Sequence, residues 1–443
     1  ANYATVSLSR GLNWDEEQWG GGFGQTQKPS RRVDDLRYGY TDGALALDNR
    51  IVMGYQTDSI DIILQNGRLE VEDSGTALTG WNDNSNVTLA AVTTDPHSGN
   101  SHGTITIDSN GGYMGQRYKG TLSDSTLRGV EVTFIAYAQR TSGSGQLRLS
   151  IVDSGGSSPG SYVSNSSEYT FLSATRTIHG SATTLDFRVQ GDTASDVWKI
   201  DDLAVFPTDG ITFRGKPLEF EGALYQCCGK MHLKFDESDD AWYPAYYSDT
   251  SGAANGHVTG HESFEGRIYV ARGSDDVGGT HDNYVSTADG ATYSDPSNNS
   301  GDGRLAEFFV RIKNNIGKWA LAKVRYNTTD GCQFGIGLTP TDAGSWGSEI
   351  QVGDSDRGPT GLYAANNTVF VGKEDGLYLF DKTEHLFDDI EPEANFFPHA
   401  NNFRHFMPRG GKLYAAGGDT AFSLWTPFAA GASIGYGYHD ISD

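Results

Sequence analysis

Closely spaced carboxylates are the commonest chemistry-bearing groups along this sequence. Hydrolysis of a glycosidic bond uses two carboxylates held a few ångströms apart, one of them with a raised pKa. Acidic pairs occur at residues 275–276, 354–356 and 374–375. None of these pairs stands out, and their turn-rich surroundings predict solvated side chains. No nucleophile motif or phosphate-binding loop accompanies them, so the sequence favours binding and scaffolding over catalysis.

Cysteine and histidine offer the ligands that transition metals prefer. The three cysteines are Cys227, Cys228 and Cys332, and their spacing matches neither a zinc motif nor a disulfide framework. Cys227 and Cys228 are adjacent in a predicted strand and should face opposite sides, so we expect all three to fill space in the core. His257 and His261 are four residues apart, but the Val-Thr-Gly between them predicts a loop leading into a strand. Both residue types therefore favour a structural role.

Composition and charge limit the kinds of partner. The 443 residues include 57 Asp and Glu against 33 Lys and Arg, which gives a formal net charge of −24. Nucleic-acid binding needs basic stripes for the phosphates, so we expect no nucleic-acid partner. The longest uncharged run, residues 420–438, is broken by Pro427 and several glycines. Membrane insertion is therefore not expected.

The elements that must position these groups are strands. Short runs of Tyr, Phe, Thr and Val alternate with clusters of Gly, Asn, Asp and Ser, which is typical of short strands joined by tight turns. The chain contains 57 glycines, and 12% of its residues are aromatic. No segment combines the apolar period and the caps of an amphipathic helix. The fold class is predicted to be all-β.

An internal repeat runs through residues 208–443. The hexapeptide FEGALY at 220–225 recurs as FEGRIY at 264–269, and weaker copies follow. Marker positions of the copies are 222, 266, 317, 367 and 411, separated by 44, 51, 50 and 44 residues. A period of roughly 40–50 residues with about four strands per unit predicts the blades of a β-propeller.

A second motif supports the repeat. Residues 284–293 align with residues 326–334, and the two segments carry Asp-Gly pairs at 289–290 and 330–331. An Asp-Gly pair between strands predicts a tight hairpin, because glycine readily takes a positive φ. Sheets of this size cannot bury both faces alone and are expected to stack around an axis. We expect five blades after residue 208, and a ring that this chain leaves incomplete unless partner subunits or further residues close it.

A region with a different pattern of apolar and polar residues interrupts the repeat. Within residues 66–207, predicted strands such as 130–137 and 146–151 alternate between apolar and polar residues. Alternation means one buried and one solvated face, as in a two-sheet sandwich. The predicted organisation is an N-terminal strap with the first propeller strands at 1–65, a jelly-roll β-sandwich at 66–207, and propeller repeats at 208–443.

Four short landmarks mark out this inserted module. They are Asn-Gly-Arg-Leu-Glu at 66–70, Gly-Trp at 80–81, His-Ser-Gly at 97–99 and Ile-Asp-Asp at 200–202. This layout resembles the galactose-binding-like jelly rolls of carbohydrate-binding module families four and nine, except that Leu69 stands where the family usually has Phe. The resemblance covers about a third of the chain.

The resemblance implies a structural calcium ion. In that family the opening Glu and a last-strand Asp often meet at calcium, which would make Glu70, with Asp201 or Asp202, the ligands here, joined by backbone carbonyls. Calcium takes several oxygen ligands from segments brought together, so the residue types suit it. The alternative is that these carboxylates cap turns or face water.

Sugar binding requires aromatic faces beside polar groups that hydrogen-bond hydroxyls. Tyr113 and Tyr118, near the turn at 111–112, are the predicted carbohydrate-binding residues. Trp81 is expected in the core, because the Gly-Trp of the family packs inside. Modules of this fold also act as spacers, so the fold alone does not fix the function.

The repeat region resembles structural proteins of tails and related parts of bacterial and archaeal viruses. The segments that carry this resemblance are 352–356, 361–363 and 369–378. It implies a virion structural and adhesion protein in a tail, fibre or surface spike, whose partners are other virion subunits and host surface glycans. A homo-oligomer on the virion or outside the cell is expected, and the missing initial Met predicts a chain trimmed at its start. The alternatives are a secreted or cell-surface glycan-active enzyme with an appended binding module, and a cell-surface adhesin.

Overall fold

A computed structural model shows an all-β protein. The structure describes residues 63–69, 72–73, 77–208, 213–236, 238, 241–248, 256–273, 284–297, 305–313, 317–341, 345–365, 368–381, 386–389, 403, 406–409, 412–417, 421–430 and 433–440. These residues form strands and no α-helix, so the all-β prediction is confirmed for them. No helix that could span a bilayer occurs in this described part.

Two compact units divide the chain. One draws its described residues from 53–211 and 233–250, and the other from 212–232 and 251–443. The predicted module at 66–207 falls within the first unit. Of the predicted strap at 1–65, only residues 63–65 are described.

The first unit is built around a sandwich of two antiparallel sheets. Its strands are β1 Glu72–Asp73, β2 Ala77–Leu78, β3 Val87–Val92, β4 His102–Ile107, β5 Tyr113–Arg117, β6 Glu131–Ser142, β7 Leu147–Asp153, β8 Gly156–Pro159, β9 Thr170–Thr177, β10 Leu185–Gly191 and β11 Val197–Pro207. One sheet has five strands in the order β3-β4-β11-β6-β9, and the other has four in the order β5-β10-β7-β8. Strands β1 and β2 pair with each other.

Period-two alternation explains the core of the sandwich. In β10, Leu185, Phe187 and Val189 are buried, whereas Arg188 and Gln190 between them are only partly buried. Phe187 meets Phe134 of β6 with ring centroids 5.6 Å apart, which joins the two sheets across the core. The predicted strands at 130–137 and 146–151 are confirmed as parts of β6 and β7.

Five further sheets follow along the described chain, and we call them repeat sheets 1 to 5. Their strands are β12 Phe213–Phe220, β13 Ala223–Cys228, β14 Met231–Asp236, β15 Ala241–Tyr247, β16 His257–Phe264, β17 Arg267–Gly273, β18 Val285–Thr287, β19 Phe308–Lys313, β20 Trp319–Asn327, β21 Gly331–Gly337, β22 Ile350–Gln351, β23 Pro359–Ala365, β24 Thr368–Lys373, β25 Gly376–Asp381, β26 Leu386–Asp389, β27 Phe406–Arg409, β28 Lys412–Gly417, β29 Ala421–Ala430 and β30 Ser433–Asp440. The sheets are β12–β15, β16–β18, β19–β22, β23–β26 and β27–β30, and in each of them neighbouring strands follow chain order.

The sequence markers fall at one structural position. Each lies between the first and second strands of a repeat sheet, from residue 222 in sheet 1 to residue 411 in sheet 5. In sheets 1 and 2 the turn is Glu-Gly with positive φ at both residues, 50° and 77° at Glu221–Gly222 and 47° and 70° at Glu265–Gly266. Two consecutive positive φ values define a type I′ turn, which matches the twist of a hairpin. The repeat is confirmed at this hairpin.

The second motif does not mark equivalent positions. Asp330-Gly331 joins the second and third strands of sheet 3, whereas Asp289-Gly290 follows the third strand of sheet 2. The backbone N–H groups of Thr292 and Ala291 donate to the Asp289 carboxylate and lower its pKa. Each Asp-Gly pair forms a turn, but the two turns lie at different places in the strand order of their sheets. The alignment of these two segments was therefore wrong as a repeat marker.

Successive repeat sheets pack against one another. The first strands lie side by side, β12 with β16, β16 with β19, β19 with β23 and β23 with β27. One apolar cluster joins sheets 2 and 3 and includes Tyr269, Tyr284 and Trp346. Another joins sheets 3 and 4 and includes Cys332 and Phe334. Cys332 therefore fills core space, as predicted, and its burial raises the pKa of its thiol to about 12.

Buried lysines tie down the segments between sheets. Lys323 Nζ of sheet 3 donates to the Leu305 carbonyl at 2.7 Å, just before that sheet begins. Lys373 Nζ of sheet 4 donates to the carbonyls of Val352 and Asp354, at 3.1 and 2.6 Å, which precede that sheet. Both lysines are 0% exposed. A buried ammonium group is costly without partners, and these carbonyls, together with Glu349 Oε1 at 3.4 Å from Lys323 Nζ, offset that cost.

Candidate functional site

The outer face of the four-stranded sheet carries a continuous row of polar side chains. On the central strand β10, Asp186, Arg188 and Gln190 follow at intervals of two and project from the same face. Gln190 is opposite Tyr113 of β5 and Arg148 of β7, whereas Asp186 is opposite Arg117. Cross-strand partners share a face, so these side chains form one surface, which we call the Tyr113–Tyr162 face.

One end of this face is an arginine stacked on a tyrosine. The Arg188 guanidinium lies 4.2 Å from the centroid of the Tyr113 ring. Arg188 also bonds Asp186 at 3.0 Å and lies 3.6 Å from Asp83. The segment that carries Asp83 can approach β5 because residue 115 is glycine, since a Cβ there would lie 2.5 Å from the Asp83 carbonyl oxygen.

The other end repeats the arrangement. The Arg148 guanidinium lies 4.5 Å from the centroid of the Tyr162 ring, and Tyr162 is 39% exposed. Arg148 donates two hydrogen bonds to Gln190 Oε1, at 3.1 and 2.9 Å. Gln190 in turn donates to the Gly111 carbonyl at 3.2 Å. Tyrosine therefore flanks a strip of planar amide and guanidinium groups on both sides.

A salt bridge borders the strip. Arg117 donates to both carboxylate oxygens of Asp186, at 2.8 and 3.2 Å, and this hydrogen-bonded pairing raises the pKa of Arg117. The Arg117 side chain is 56% exposed, whereas that of Asp186 is 5% exposed. Asp186 is therefore held by two arginines, and both guanidinium groups are fixed in orientation.

The predicted pair of tyrosines is divided between surface and interior. Tyr113 is half-buried on the face just described. Tyr118 is 6% exposed, and its ring meets Tyr243 edge-on at 5.7 Å. Burial raises the pKa of its hydroxyl, which has no hydrogen-bond partner among the residues that the structure describes. Trp81 is 2% exposed and donates to the Asn66 carbonyl at 3.0 Å, so its predicted core position is confirmed.

Sequence reasoning missed Tyr162 and the arginines of this face. The arginines did have a signal, because the alternation in β7 and β10 places Arg148, Arg188 and Gln190 on the solvated side. Tyr162 gave no such signal. It precedes an isolated bridge between Val163 and Leu147, outside a regular strand.

The outer face of the five-stranded sheet has a different character. His97 and Tyr137 are stacked with ring centroids 3.9 Å apart, whereas Tyr169 meets His97 edge-on at 5.1 Å. Phe171 lies 5.5 Å from Tyr137 and is 49% exposed. Stacking therefore covers one face each of His97 and Tyr137, and Phe171 contributes exposed apolar surface.

The predicted calcium ligands have the following surroundings. Asp202 accepts hydrogen bonds from Ser98 Oγ and His97 Nδ1, both at 2.6 Å, and lies 3.8 Å from the Arg68 guanidinium. A nearby guanidinium suits an ion pair and opposes a second cation at the same carboxylate. Asp201 accepts from the backbone N–H of Ser98 at 2.9 Å. The other oxygen of Asp201 accepts from the backbone N–H of Asp202 at 2.7 Å. Asp202 therefore fits calcium poorly, Asp201 already accepts two backbone hydrogen bonds, and Glu70 lies outside the described residues.

A second polar cluster lies inside the repeat sheets. One ligand atom from each of Cys227, His232 and His261 lies within 4.8 Å of those of the other two, and all three residues are buried. His232 Nε2 is 2.8 Å from His261 Nδ1, and His232 Nδ1 is 2.8 Å from Tyr293 Oη. Burial, followed by the neighbouring His261, lowers the pKa of His232 well below its usual range. The residues come from β13, β14 and β16, which the sequence did not show to be neighbours.

Several solved carbohydrate-binding modules are similar to part of this chain. The CBM22-1 xylan-binding domain of Paenibacillus barcinonensis Xyn10C is 13% identical over 30% of this chain and 88% of its own, with a TM-score of 0.26. A family 16 carbohydrate-binding module is 15% identical over 32% and 99%, with a TM-score of 0.25. TmCBM61, in complex with β-1,4-galactotriose, is 17% identical over 33% and 97%, also at 0.25.

These scores do not establish a shared fold, so the function has to follow from the residues of the site. No family model matches the sequence, and no curated protein matches it either.

Proposed function

We propose that the sandwich is a glycan-binding module and that the Tyr113–Tyr162 face is its binding surface. The observation that carries this proposal is the pair of arginine-stacked tyrosines on either side of the Arg148–Gln190 hydrogen bonds. The protein then acts by adhesion, and no chemical step is assigned to it.

The chemistry of the face matches that of a sugar. A pyranose ring offers apolar C–H groups to aromatic side chains and hydroxyl groups to polar ones. Amide and guanidinium groups supply donors in fixed planar geometry, and Gln190 and Asp186 supply acceptors. Tyr113 and Tyr162 lie about three strand spacings apart, or about 14 Å. A strip of that length suits a short oligosaccharide better than a single sugar.

The face on the five-stranded sheet is the weaker candidate. It has an exposed aromatic residue, Phe171, but His97 and Tyr137 stack on each other and Tyr137 also meets Phe171 edge-on. Its carboxylates Asp201 and Asp202 are buried and engaged by Ser98, His97 and Arg68. A ligand there would find few donors and acceptors that are not already committed.

The test is a glycan array with the full chain, followed by titration of the strongest ligand. Xylan and β-1,4-galactan oligosaccharides are sensible first probes. Replacement of the aromatic rings, Tyr113→Ala and Tyr162→Ala, is expected to weaken binding about tenfold each, as loss of a well-packed aromatic contact does. Melting temperature should change little, because neither ring is in the core.

The matched control is Phe171→Ala, which removes an exposed aromatic residue from the other sheet of the same sandwich. It should leave glycan affinity unchanged. Binding that survives both tyrosine variants but falls with Phe171→Ala would assign the ligand to the five-stranded sheet instead. An array without any ligand would make the module a spacer.

The same proposal extends to fold and setting. We propose that the sandwich is a jelly roll and that repeat sheets 1 to 5 are blades of a propeller, supported by their chain-ordered strands and side-by-side first strands.

We propose a virion structural and adhesion protein, supported by the sequence resemblance of the repeats. Many copies of the chain in a purified particle would support this role, and multivalent display would raise the avidity of weak sugar contacts. Absence of the chain from purified particles, together with its display on a cell surface, would favour the cell-surface adhesin.

Structural calcium is part of this proposal, with Glu70 and Asp201 as its side-chain ligands. Calcium would fix the start and end of the sandwich relative to each other. Addition of calcium to the EGTA-treated chain is expected to raise its melting temperature, and Asp201→Asn should abolish the rise. Asp202→Asn should retain it, because Asp202 is placed with Arg68.

A further inference from the structure

We propose that Cys227, His232 and His261 form a binding site for a divalent transition metal, with zinc as the expected ion, where repeat sheets 1 and 2 meet. The site is separate from the proposed glycan-binding face and independent of that function. A thiolate and two imidazoles are ligands of borderline softness, and zinc binds such mixed sulfur and nitrogen sets.

The arrangement of the ligands is the first support. Three potential ligand atoms from three strands converge within 4.8 Å, in residues whose exposed fractions are 0%, 0% and 5%. Cys227 and His232 lie on β13 and β14 of sheet 1, and His261 lies on β16 of sheet 2. A metal ion here would cross-link the two sheets.

The second support is the partner of His232. A ligating histidine usually gives its second ring N–H to an acceptor that fixes its tautomer and orientation. Tyr293 Oη lies 2.8 Å from His232 Nδ1 and can take this role, while Nε2 points towards His261. The ring of Tyr225 stacks on His232 at 5.3 Å and holds the imidazole from one face.

The spacing is close to that of a filled site. His232 Nε2 and His261 Nδ1 are 2.8 Å apart, a hydrogen-bond distance. Two nitrogens bound to one tetrahedral zinc ion at about 2.0–2.1 Å lie about 3.3 Å apart, so binding requires a separation of about 0.5 Å more. Small rotations of the two rings provide it. A fourth position remains for water or another ligand.

The experiment uses the full chain, stripped of metal by a chelator and reloaded with one metal at a time. Zinc content by mass spectrometry should be about one equivalent. Cobalt in place of zinc should produce a thiolate-to-cobalt charge-transfer absorption, which carboxylates on the acidic surface cannot produce. Zinc should also raise the melting temperature of the stripped chain, because the metal binds only the folded form.

Adjacent cysteines provide a matched pair of variants. Cys227→Ser should lower zinc affinity by about 100-fold or more and remove the charge-transfer band, since loss of a ligand exceeds the 10–100-fold cost of losing an outer partner. Cys228→Ser, on the opposite face of the same strand, should change affinity less than threefold. Tyr293→Phe should weaken binding about tenfold with the band intact.

Three results would overturn the proposal. They are a wild-type chain that binds less than a tenth of an equivalent and gains no stability from zinc, a cobalt complex without the thiolate band, and equal loss in the two cysteine variants. Should Cys227→Ser fail to fold, His261→Gln takes its place in the comparison with Cys228→Ser. The wild-type measurements decide the outcome without any variant.

Discussion

Two cations lie over tyrosine rings in different parts of this molecule. Arg188 lies 4.2 Å from the Tyr113 centroid in the sandwich, and Lys373 lies 5.3 Å from the Tyr378 centroid in the repeat sheets. The Arg188 side chain is 25% exposed and bonds to other side chains, whereas Lys373 is fully buried and bonds to backbone carbonyls. A cation over a tyrosine ring thus occurs in two settings, at a partly exposed surface and in the buried core.

The two cations differ in what can replace their hydrogen-bond partners. Side chains at a wet surface exchange their hydrogen bonds with water at little cost, so a ligand can take them over. A buried cation has no such alternative, and its hydrogen bonds are part of the fold. Arg188 and its neighbours can therefore serve recognition, while Lys373 is committed to holding the segment before its sheet.

The largest expected effect is at the buried cation. Lys373→Ala leaves two carbonyl groups without their donor and should lower the free energy of unfolding by about 3 kcal/mol. Lys373→Met keeps the apolar stem and should cost less. Urea unfolding measures both, with the exposed Lys318→Ala as a control expected within about 0.5 kcal/mol of wild type. Equal effects of Lys373→Ala and Lys318→Ala would break the comparison.

The next effect tests whether a charged side chain becomes structural because it is buried, and not because it lies in the repeat sheets. Asp153 lies in the sandwich, and its side chain is 0% exposed. Burial opposes its ionisation, but hydrogen bonds from Arg176 and from the backbone N–H groups of His179 and Gly155 outweigh this and lower its pKa from 3.8 to about 2.

Since the folded-state pKa of Asp153 is depressed, its contribution is complete above about pH 4 and is lost as the pH falls towards 2. The shift corresponds to about 2 kcal/mol. The stability difference between wild type and Asp153→Asn should therefore shrink between pH 6 and pH 2.5 in urea unfolding. A difference that does not change with pH would show that Asp153 acts by shape and not by charge.

A smaller effect is expected on the exposed face. Arg148→Ala removes two hydrogen bonds to Gln190 and the cation over Tyr162, and should weaken glycan binding about fivefold. The free energy of unfolding should stay within about 0.5 kcal/mol of wild type, because surface contacts contribute little. Titration calorimetry and urea unfolding together measure the two quantities. A large loss of stability with unchanged binding would contradict the recognition role given to the Tyr113–Tyr162 face.

The smallest effect concerns the repeated hairpin. Glu265 has a φ of 47° at the first central position of its type I′ turn, where Asn is favoured over Glu. Glu265→Asn should raise the free energy of unfolding by about 0.5 kcal/mol, and Glu221→Asn, at the equivalent turn, should do the same. Urea unfolding of both variants checks the equivalence. Opposite signs would argue against a common turn.

Some features were predictable because their causes are local. Alternation in β6 and β7 gave those strands and their two faces, since successive side chains in a strand point to opposite sides. The recurring Phe-Glu-Gly motif and its weaker copies gave the position of the first hairpin in each repeat sheet. Trp81 and Cys332 were also predicted correctly as core residues.

Other features depended on contacts between distant segments. The alternation of apolar and polar residues does not show which solvent-exposed sheet face a ligand would use. It also does not show that Tyr118 packs against Tyr243 while Tyr113 lies under Arg188. The Asp-Gly pairs misled because a turn signal fixes a local bend and not its place in the sheet order.

The sequence by itself determined strand character, the repeat period and the acidic surface of this protein, because each follows from residue type and spacing over a few positions. Only the tertiary structure decided which groups meet. Cys227 and His261 are 34 positions apart and on different sheets, and packing of those sheets brings them together. Burial is set by the same packing, so the roles of Lys373 and Arg188 became distinct only in the folded protein.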